Sequence, residues 1–424
     1  MSAPLHAPLL FAVQQGKIHI GGESIHQLAT RLGTPFYAYD ARLIRSRIAE
    51  LRAVLPPSVQ LHYAIKANPF PPLLKLMAGL VDGGDIASSG ELRAALHAGF
   101  KPHTVSFAGS GKRDDELKAA LHAGITLNIE SDGELERLQH LGQQLNIRPR
   151  VALRINPDFE LKGAGMRMGG GAKPFGIDAE QAPDILNKIK RMDIDFQGLH
   201  IFSGSQSLNL AAIMQAMSAA LALAHQLLTP SGLACPHINI GGGLGIPYFP
   251  GEQRLELAPI GTHLQQLVEQ HADWLGETQL ILEMGRYLVG EAGVYVTRVV
   301  ERKTSRGETF LICDGGMHQH LALSGNLGQV IRKNYPVYLA HQADAAPQDM
   351  AEEVVNIHGP LCTPLDVLGH KITLPRAEVG DLLVVTQSGA YGLSASPVNF
   401  LSHPLPSEIL LLSLIHISEP TRPY

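Results

Sequence analysis

Residues 84–131 read GDIASSGELRAALHAGFKPHTVSFAGSGKRDDELKAALHAGITLNIES, and the fold is decided there. Three short β-type runs, GDIAS (84–88), TVSFAG (104–109) and ITLNIES (125–131), are separated by two helical runs. Ser88 and Glu91 are spaced as a capping box, Leu92 and Leu96 give the first helix its apolar face, and Gly99 stops it. The second helix ends in the same six residues, since AALHAG stands at 94–99 and again at 119–124. Such self-similarity predicts repeated βα units, a parallel sheet wrapped by helices.

The same alternation extends on both sides. QLHYAIK (60–66) precedes it, and RVALRIN (150–156), DFQGLHIF (195–202), HINIGGG (237–243) and QLILEMG (279–285) follow. Eight strands in this span match a closed (β/α)8 TIM barrel, taken here as residues 34–284, with an open doubly wound sheet as the alternative α/β architecture. Beyond 285 the texture changes to VYVTRVVE (294–301), TFLIC (309–313) and DLLVV (381–385), which predicts a mainly β C-terminal domain over 285–412. FAV and KIHI, separated by QQG, predict a hairpin within residues 1–33 that joins that domain. Residues 335–352 are polar and contain proline, as a surface loop does. SLIHISEPTRPY (413–424) continues no domain and reads as a non-native tail.

Composition narrows the function classes. The 424 residues suggest two or three domains, and 45% hydrophobic against 17% charged residues exclude a disordered chain. With 34 Lys+Arg against 39 Asp+Glu the net charge is −5, which argues against a nucleic-acid partner. Cys235, Cys313 and Cys362 are odd in number and far apart, fitting neither a disulfide framework nor a metal site. No basic leader precedes the short apolar run near the N-terminus, and no apolar run approaches the ~20 residues of a bilayer span. A cytoplasmic protein without membrane contact is expected.

In a (β/α)8 barrel the reacting groups gather at the C-terminal ends of the strands. Lys66 closes the first, Ser88 the second, Arg154 the fifth, His200 and Phe202 the sixth, Gly241, Gly242 and Gly243 the seventh, and Glu283 with Arg286 the eighth. Taken singly, each has a plain reading: a surface lysine, a glycine turn, a structural ion pair. Lysine at the end of an apolar strand should be desolvated and so become a usable amine nucleophile. A glycine triplet exposes backbone N–H groups to a phosphate. Together, an amine, a phosphate cradle and an acid for a pyridinium describe a pyridoxal phosphate site. An acid at that ring nitrogen favours decarboxylation, where arginine would suit a racemase.

With those residues in view, the chain resembles the fold-type III pyridoxal phosphate decarboxylases, the group containing diaminopimelate and ornithine decarboxylases. The matching motifs are YAIKAN around Lys66, GDIASSGEL (84–92), GSQ (204–206), GGGLGIPY (241–248), EMGRYLVG (283–290), GPLCTPLD (359–366) and SGAYG (388–392). The resemblance implies that Lys66 is the Schiff-base lysine and that Glu283 faces the pyridine nitrogen. It also implies that Ser205, Gly243, Arg286 and Tyr391 hold the phosphate, that Cys362 is the proton donor, and that a head-to-tail homodimer shares its active sites. A buried apolar thiol is the plain alternative for Cys362.

Two departures bear on the substrate. The family's ring-stacking histidine falls on Phe202, with His200 two positions earlier as a possible substitute. After Cys362, where relatives carry a glutamate or aspartate for the substrate's distal amine, stands Thr363; Thr363 and Asp366 are the substrate-side candidates. A buried ammonium lacking its carboxylate is destabilised by several kcal/mol. CTPLD, GMRMGGGAKPFGID (165–178) and FLSHPLP (400–406) are most similar to decarboxylases associated with exosortase gene clusters and to those acting on a glutamyl group held on an acyl carrier protein. The expected function is therefore α-decarboxylation of an amino acid or carrier-bound aminoacyl substrate. The alternatives are meso-diaminopimelate decarboxylase, a non-catalytic pyridoxal phosphate carrier, alanine racemase, and a flavin or nicotinamide barrel.

Overall fold

Eight parallel strands pair in a ring: Val59–Ala64, Gly83–Ile86, Val105–Phe107, Thr126–Ile129, Arg150–Asn156, Asp195–Ile201, His237–Asn239 and Gln279–Met284. The last pairs with the first, from Leu280 opposite Val59 to Met284 opposite Tyr63, so the barrel is closed and the open doubly wound sheet is excluded. This is a computed structural model, and it describes residues 6–161, 163, 165–325, 333–341, 351–413 and 416–417. The chain divides into two units. Ile48–Gly245 with Leu255–Gly285 form the barrel; Met1–Arg47, Ile246–Arg254 and Arg286–Tyr424 form the other.

The local signals explain the helices of the repeated units. Ser88 caps Ser89–Ala98 by accepting the N–H of Glu91 at 3.1 Å, while the Glu91 carboxylate accepts the N–H of Ala87 at 2.6 Å. Helix Asp114–Ala123 carries Asp114, Asp115 and Glu116 in its first turn, which favours the positive end of its dipole. It stops at Gly124, whose φ of +70° lies in the left-handed region. A Cβ there meets nothing within 4 Å, so only backbone strain opposes one. Gly124→Ala should therefore cost about 1 kcal/mol, read as an earlier urea transition of the barrel with activity unchanged; an unchanged midpoint would contradict the assignment.

One helix of this unit bears on the expectation that no apolar run approaches the length of a bilayer span. Helix Leu210–Ser231 is 22 residues long and, among the described residues, is the one helix long and apolar enough to cross a bilayer by length and composition. It occupies the position between the sixth and seventh barrel strands and buries Ile213, Met217, Leu221, Ala224 and Leu228, a stripe at helical spacing. Gln215, Ser218, His225 and Gln226 interrupt the apolar run, which is why no continuous span is visible in the sequence.

The second unit is a nearly closed mixed β-barrel. Its sheet runs in the order Val367–Pro375, Glu352–His358, Glu308–Cys313, Gly293–Ser305, Phe36–Asp40 and Ser407–Ser413, with Leu382–Val385 pairing on Gly293–Ser305 and on Val337–Leu339. Strand alternation sends Phe36, Ala38, Val294 and Val296 into a core shared with Leu382, Val384, Ile409 and Leu411. Tyr37 and Tyr295 face the other way, donating hydrogen bonds to Gln319 O and Gln319 Oε1 at 2.7 and 2.8 Å. The N-terminal hairpin pairs Ala12–Gln14 with Lys17–Ile20, and Ile18 N donates to Ala340 O at 2.9 Å.

Residues 34–47 were expected inside the (β/α)8 barrel but group with the β unit, because Phe36–Asp40 pairs with Gly293–Ser305 and Ser407–Ser413. Part of the expected 335–352 loop is strand Val337–Leu339, while residues 342–350 lie outside the described residues. Of the tail expected to be non-native, His416–Ile417 pairs with Ser407–Ser413, and residues 414–415 and 418–424 lie outside the described residues.

Candidate active site

The barrel's C-terminal rim gathers Lys66, His200, Phe202 and Glu283. Lys66 lies in a single 3-10 turn, Ile65–Ala67, directly after the first strand; Ile65 and Ala67 are buried. The lysine side chain remains 47% exposed, so it is less buried than its place after an apolar strand led us to expect. Its Nζ stands 3.7 Å from Glu283 Oε1 and 5.8 Å from the centre of the Phe202 ring. On the other oxygen of Glu283, His200 Nε2 approaches to 3.2 Å. His200 is buried, its Nδ1 finds no hydrogen-bond partner, and its Nε2 approaches Glu283 without hydrogen-bond alignment. Burial alone would raise the Glu283 carboxyl, but Lys66, His200 and Arg154 together outweigh it and hold the group well below the usual carboxylate range.

Arg154 is committed to a carboxylate that sequence reasoning missed. Its Nη1 donates to Glu130 Oε1 at 2.8 Å, and its guanidinium lies 5.4 Å from the Phe175 ring centre. Glu130 also accepts the N–H groups of Gly109 and Gly176, at 2.5 and 3.1 Å, so it ties three loops of the rim together. Burial opposes its ionisation, yet Arg154 and Lys112 hold its carboxyl below the usual range. The signal was present as the acid closing ITLNIES, but its partner was not legible. Glu91, read as a helix cap, is a further rim acid: burial raises its carboxyl against the opposing charge of Lys66.

The glycine run forms a loop that admits no side chain. Gly241 and Gly243 have φ of +75° and +79°, a Cβ on Gly242 would stand 2.3 Å from Glu283 O, and one on Gly243 would stand 2.8 Å from Leu161 Cδ2. Ser205 is in the short strand Gly204–Ser205, which pairs with Met166–Arg167, and Ser207 N donates to Gly243 O at 2.9 Å.

In the β unit, Arg286 Nη1 donates to the Tyr248 hydroxyl at 2.8 Å, and its guanidinium lies 4.6 Å from the Tyr391 ring centre. Its Nε is buried without a partner, and among the described residues no carboxylate pairs with it. That arrangement suits an anion. Tyr391 has φ of +52°, a left-handed conformation that a bulky residue adopts only under constraint.

Cys362 and Thr363 lie between strands Glu352–His358 and Val367–Pro375, with Cys362 exposed and the Thr363 hydroxyl accepting Leu365 N at 3.3 Å. Asp366, expected at the substrate, is not presented to one. It is 1% exposed, and its carboxylate accepts the N–H groups of Met317 and Leu361 at 2.6 and 2.8 Å, which braces the Cys362 turn. Burial pushes the Cys235 thiol up to about 12 and raises Cys313 as well. Among the described residues no cluster of His, Cys, Asp and Glu could hold a metal.

These features fit pyridoxal phosphate. An amine stands at a rim beside an ionised, buried carboxylate, and on the same unit a loop without side chains follows a strand. The family description "pyridoxal-dependent decarboxylase, pyridoxal binding domain" matches residues 41–290, and the chain belongs to that family. It is 40% identical to the L-glutamyl-[BtrI acyl-carrier protein] decarboxylase of Niallia circulans, over 91% of this chain and 90% of that one. It is 31% identical to the diaminopimelate decarboxylase of Aquifex aeolicus, over 94% and 91%. The crystal structure of diaminopimelate decarboxylase from M. jannaschii superposes with a TM-score of 0.87 at 26% identity, covering 97% of this chain and 95% of that one. The protein is thus a pyridoxal phosphate-dependent amino acid decarboxylase, a carboxy-lyase. The non-catalytic carrier, racemase and flavin or nicotinamide readings give way to it.

Proposed function

We propose that this decarboxylase acts on a glutamyl group carried as a thioester on an acyl carrier protein, with Lys66 anchoring the cofactor and Cys362 returning a proton to the α-carbon. Thr363 carries the reading. Its neutral hydroxyl stands where relatives place a carboxylate for a distal ammonium, and the nearby Asp366 carboxylate is turned to backbone N–H groups instead. A substrate whose far end is a thioester needs no such counter-charge, whereas a distal ammonium would lose its partner. The 40% identity to a decarboxylase of a carrier-bound glutamyl group supports the same choice.

Bound pyridoxal phosphate supplies an electron sink for the pair released as the α-carboxylate leaves as carbon dioxide. The residues of the chain hold and steer the rest. Lys66 offers the amine, Glu283 keeps a negative charge available to a protonated ring nitrogen, and Ser205 with the Gly241–Gly243 loop makes room for the phosphate. Cys362 carries an exposed thiol, able to give a proton and regain it from solvent. One carbon–carbon bond breaks, carbon dioxide departs, and one carbon–hydrogen bond forms. Action of Cys362 across a head-to-tail homodimer is part of the proposal; light scattering should give twice the 45.7 kDa chain mass, and a monomer active at all concentrations would contradict it.

A second reading, meso-diaminopimelate decarboxylation, draws on the 31% identity to the Aquifex aeolicus enzyme. Carbon dioxide release from L-glutamyl carrier-protein thioester, free L-glutamate, meso-diaminopimelate, L-lysine and L-ornithine separates the two. The thioester should exceed diaminopimelate in kcat/KM by on the order of 100-fold, the worth of one buried charge pair. The reverse order would transfer the function to lysine formation.

A further inference from the structure

The barrel strand Asp195–Ile201 and the residue after it set two rings at the Lys66 rim, His200 and Phe202. Two positions apart on an extended chain, their side chains leave by the same face. Their centres are 6.4 Å apart and their planes meet at 61°, edge to face, so a flat ligand beside them can lie parallel to only one. Lys66 Nζ stands over the Phe202 ring, 5.8 Å from its centre. Phe202 is partly buried and turns its face to the amine, whereas His200 is 3% exposed.

His200 is turned to Glu283 instead. In the sheet it stands level with Arg154 on one side and Asn239 on the other. Both are committed elsewhere, since Arg154 donates to Glu130 at 2.8 Å and Asn239 Oδ1 accepts the N–H of Gly241 at 2.8 Å. His200 Nε2 falls 3.2 Å from Glu283 Oε2. A proton on that nitrogen, in the neutral or the charged ring, is attracted to the carboxylate in an interior where charges are weakly screened. The other oxygen, Oε1, is left to Lys66 at 3.7 Å. The two neighbours differ in permanence. Lys66 is 47% exposed and must give its nitrogen to the cofactor, while His200 is buried on a strand and keeps its place. One oxygen of Glu283 is thus held by the barrel wall and the other is presented at the rim.

We propose that His200 is a positioning residue, holding the Glu283 carboxylate by Oε2 so that Oε1 is offered to the cofactor's ring nitrogen, while Phe202 supplies the ring that stacks on the cofactor. This division of roles rests on the reading of Glu283 as the acid at that nitrogen, and it is independent of which substrate is decarboxylated.

The test needs no substrate. Pyridoxal phosphate is titrated into the full chain stripped of cofactor, and its dissociation constant and visible absorbance band are read for the parent and each variant. His200→Phe keeps an aromatic face and removes both ring nitrogens. It should raise the dissociation constant about 10-fold, the scale of one polar contact to a buried charge, and shift the band in the direction that Glu283→Gln does. In the Glu283→Gln background the same change should add less than ~2-fold and no further shift, because nothing remains there for His200 to hold. Phe202→Ala, in contrast, should weaken binding by ~10-fold in both backgrounds. Should His200→Phe fail to fold, His200→Asn, too short to reach Glu283, takes its place with the same expectation. A histidine variant that loses nothing, as a stacking ring replaced by phenylalanine would, overturns the proposal. Equal losses with and without Glu283, as from a residue that merely packs the barrel, overturn it too, and so does unchanged affinity in Phe202→Ala. If Glu283→Gln itself alters neither affinity nor band, the reading of Glu283 fails first and the role of His200 fails with it.

Discussion

Glu283→Gln should slow carbon dioxide release by on the order of 10²–10³-fold while the cofactor remains attached to Lys66. The glutamate lies between Lys66 Nζ at 3.7 Å and His200 Nε2 at 3.2 Å, and it is buried and ionised. An amide of the same shape keeps the packing and removes the charge. Without that charge a ring nitrogen is no longer held in its protonated form, and electron withdrawal weakens. Borohydride labelling of Lys66 in the variant checks that the cofactor is retained. Turnover within threefold of the parent would show that Glu283 is a structural ion pair. The pH dependence has a definite sign. Because the folded carboxyl lies below its unfolded value of ~4.3, its contribution to stability is complete above that value and fades only as pH falls through the depressed folded one. The parent should therefore show no loss of activity near pH 4.5 from this group.

Lys66→Arg should abolish borohydride-fixable attachment and lower turnover by ~10³-fold or more. Arginine keeps a positive charge near Glu283 and a long aliphatic stem, so the rim retains its balance. Its guanidinium stays protonated and cannot serve as a nucleophile. The measurement is peptide mapping after reduction, with carbon dioxide release beside it. A labelled peptide elsewhere in the chain, with activity preserved, would move the anchor away from residue 66.

How far the sequence could be read depended on the range of the interactions involved. The barrel strands were legible because each carries its own signals, as the capped helix from Ser88 to Gly99 does. The Gly241–Gly243 loop and Glu283 were legible for the same reason, since their places at strand ends follow from periodicity alone. Phe36–Asp40 was not, because its β pattern says nothing of which sheet it joins, and its partners come from far along the chain. Val337–Leu339 is too short to show alternation. Glu130, Tyr248 and the inward turn of Asp366 depend on partners brought together only by folding, so the first two were missed and Asp366 was placed at the substrate, which its buried hydrogen bonds do not face.

The strand Phe36–Asp40 has a further consequence, in the order of biosynthesis. Tyr37 pairs with Tyr295 and Ala38 with Ile409, partners translated about 260 and 370 residues later. At ~5–20 residues per second, the ribosome needs roughly 20–70 s to supply the second of them. For that interval an apolar, β-prone segment near the N-terminus has both edges open, while the barrel that follows it can already fold. Stalled or truncated nascent chains should therefore aggregate through this segment, and a holdase chaperone that covers it should raise the yield of native enzyme.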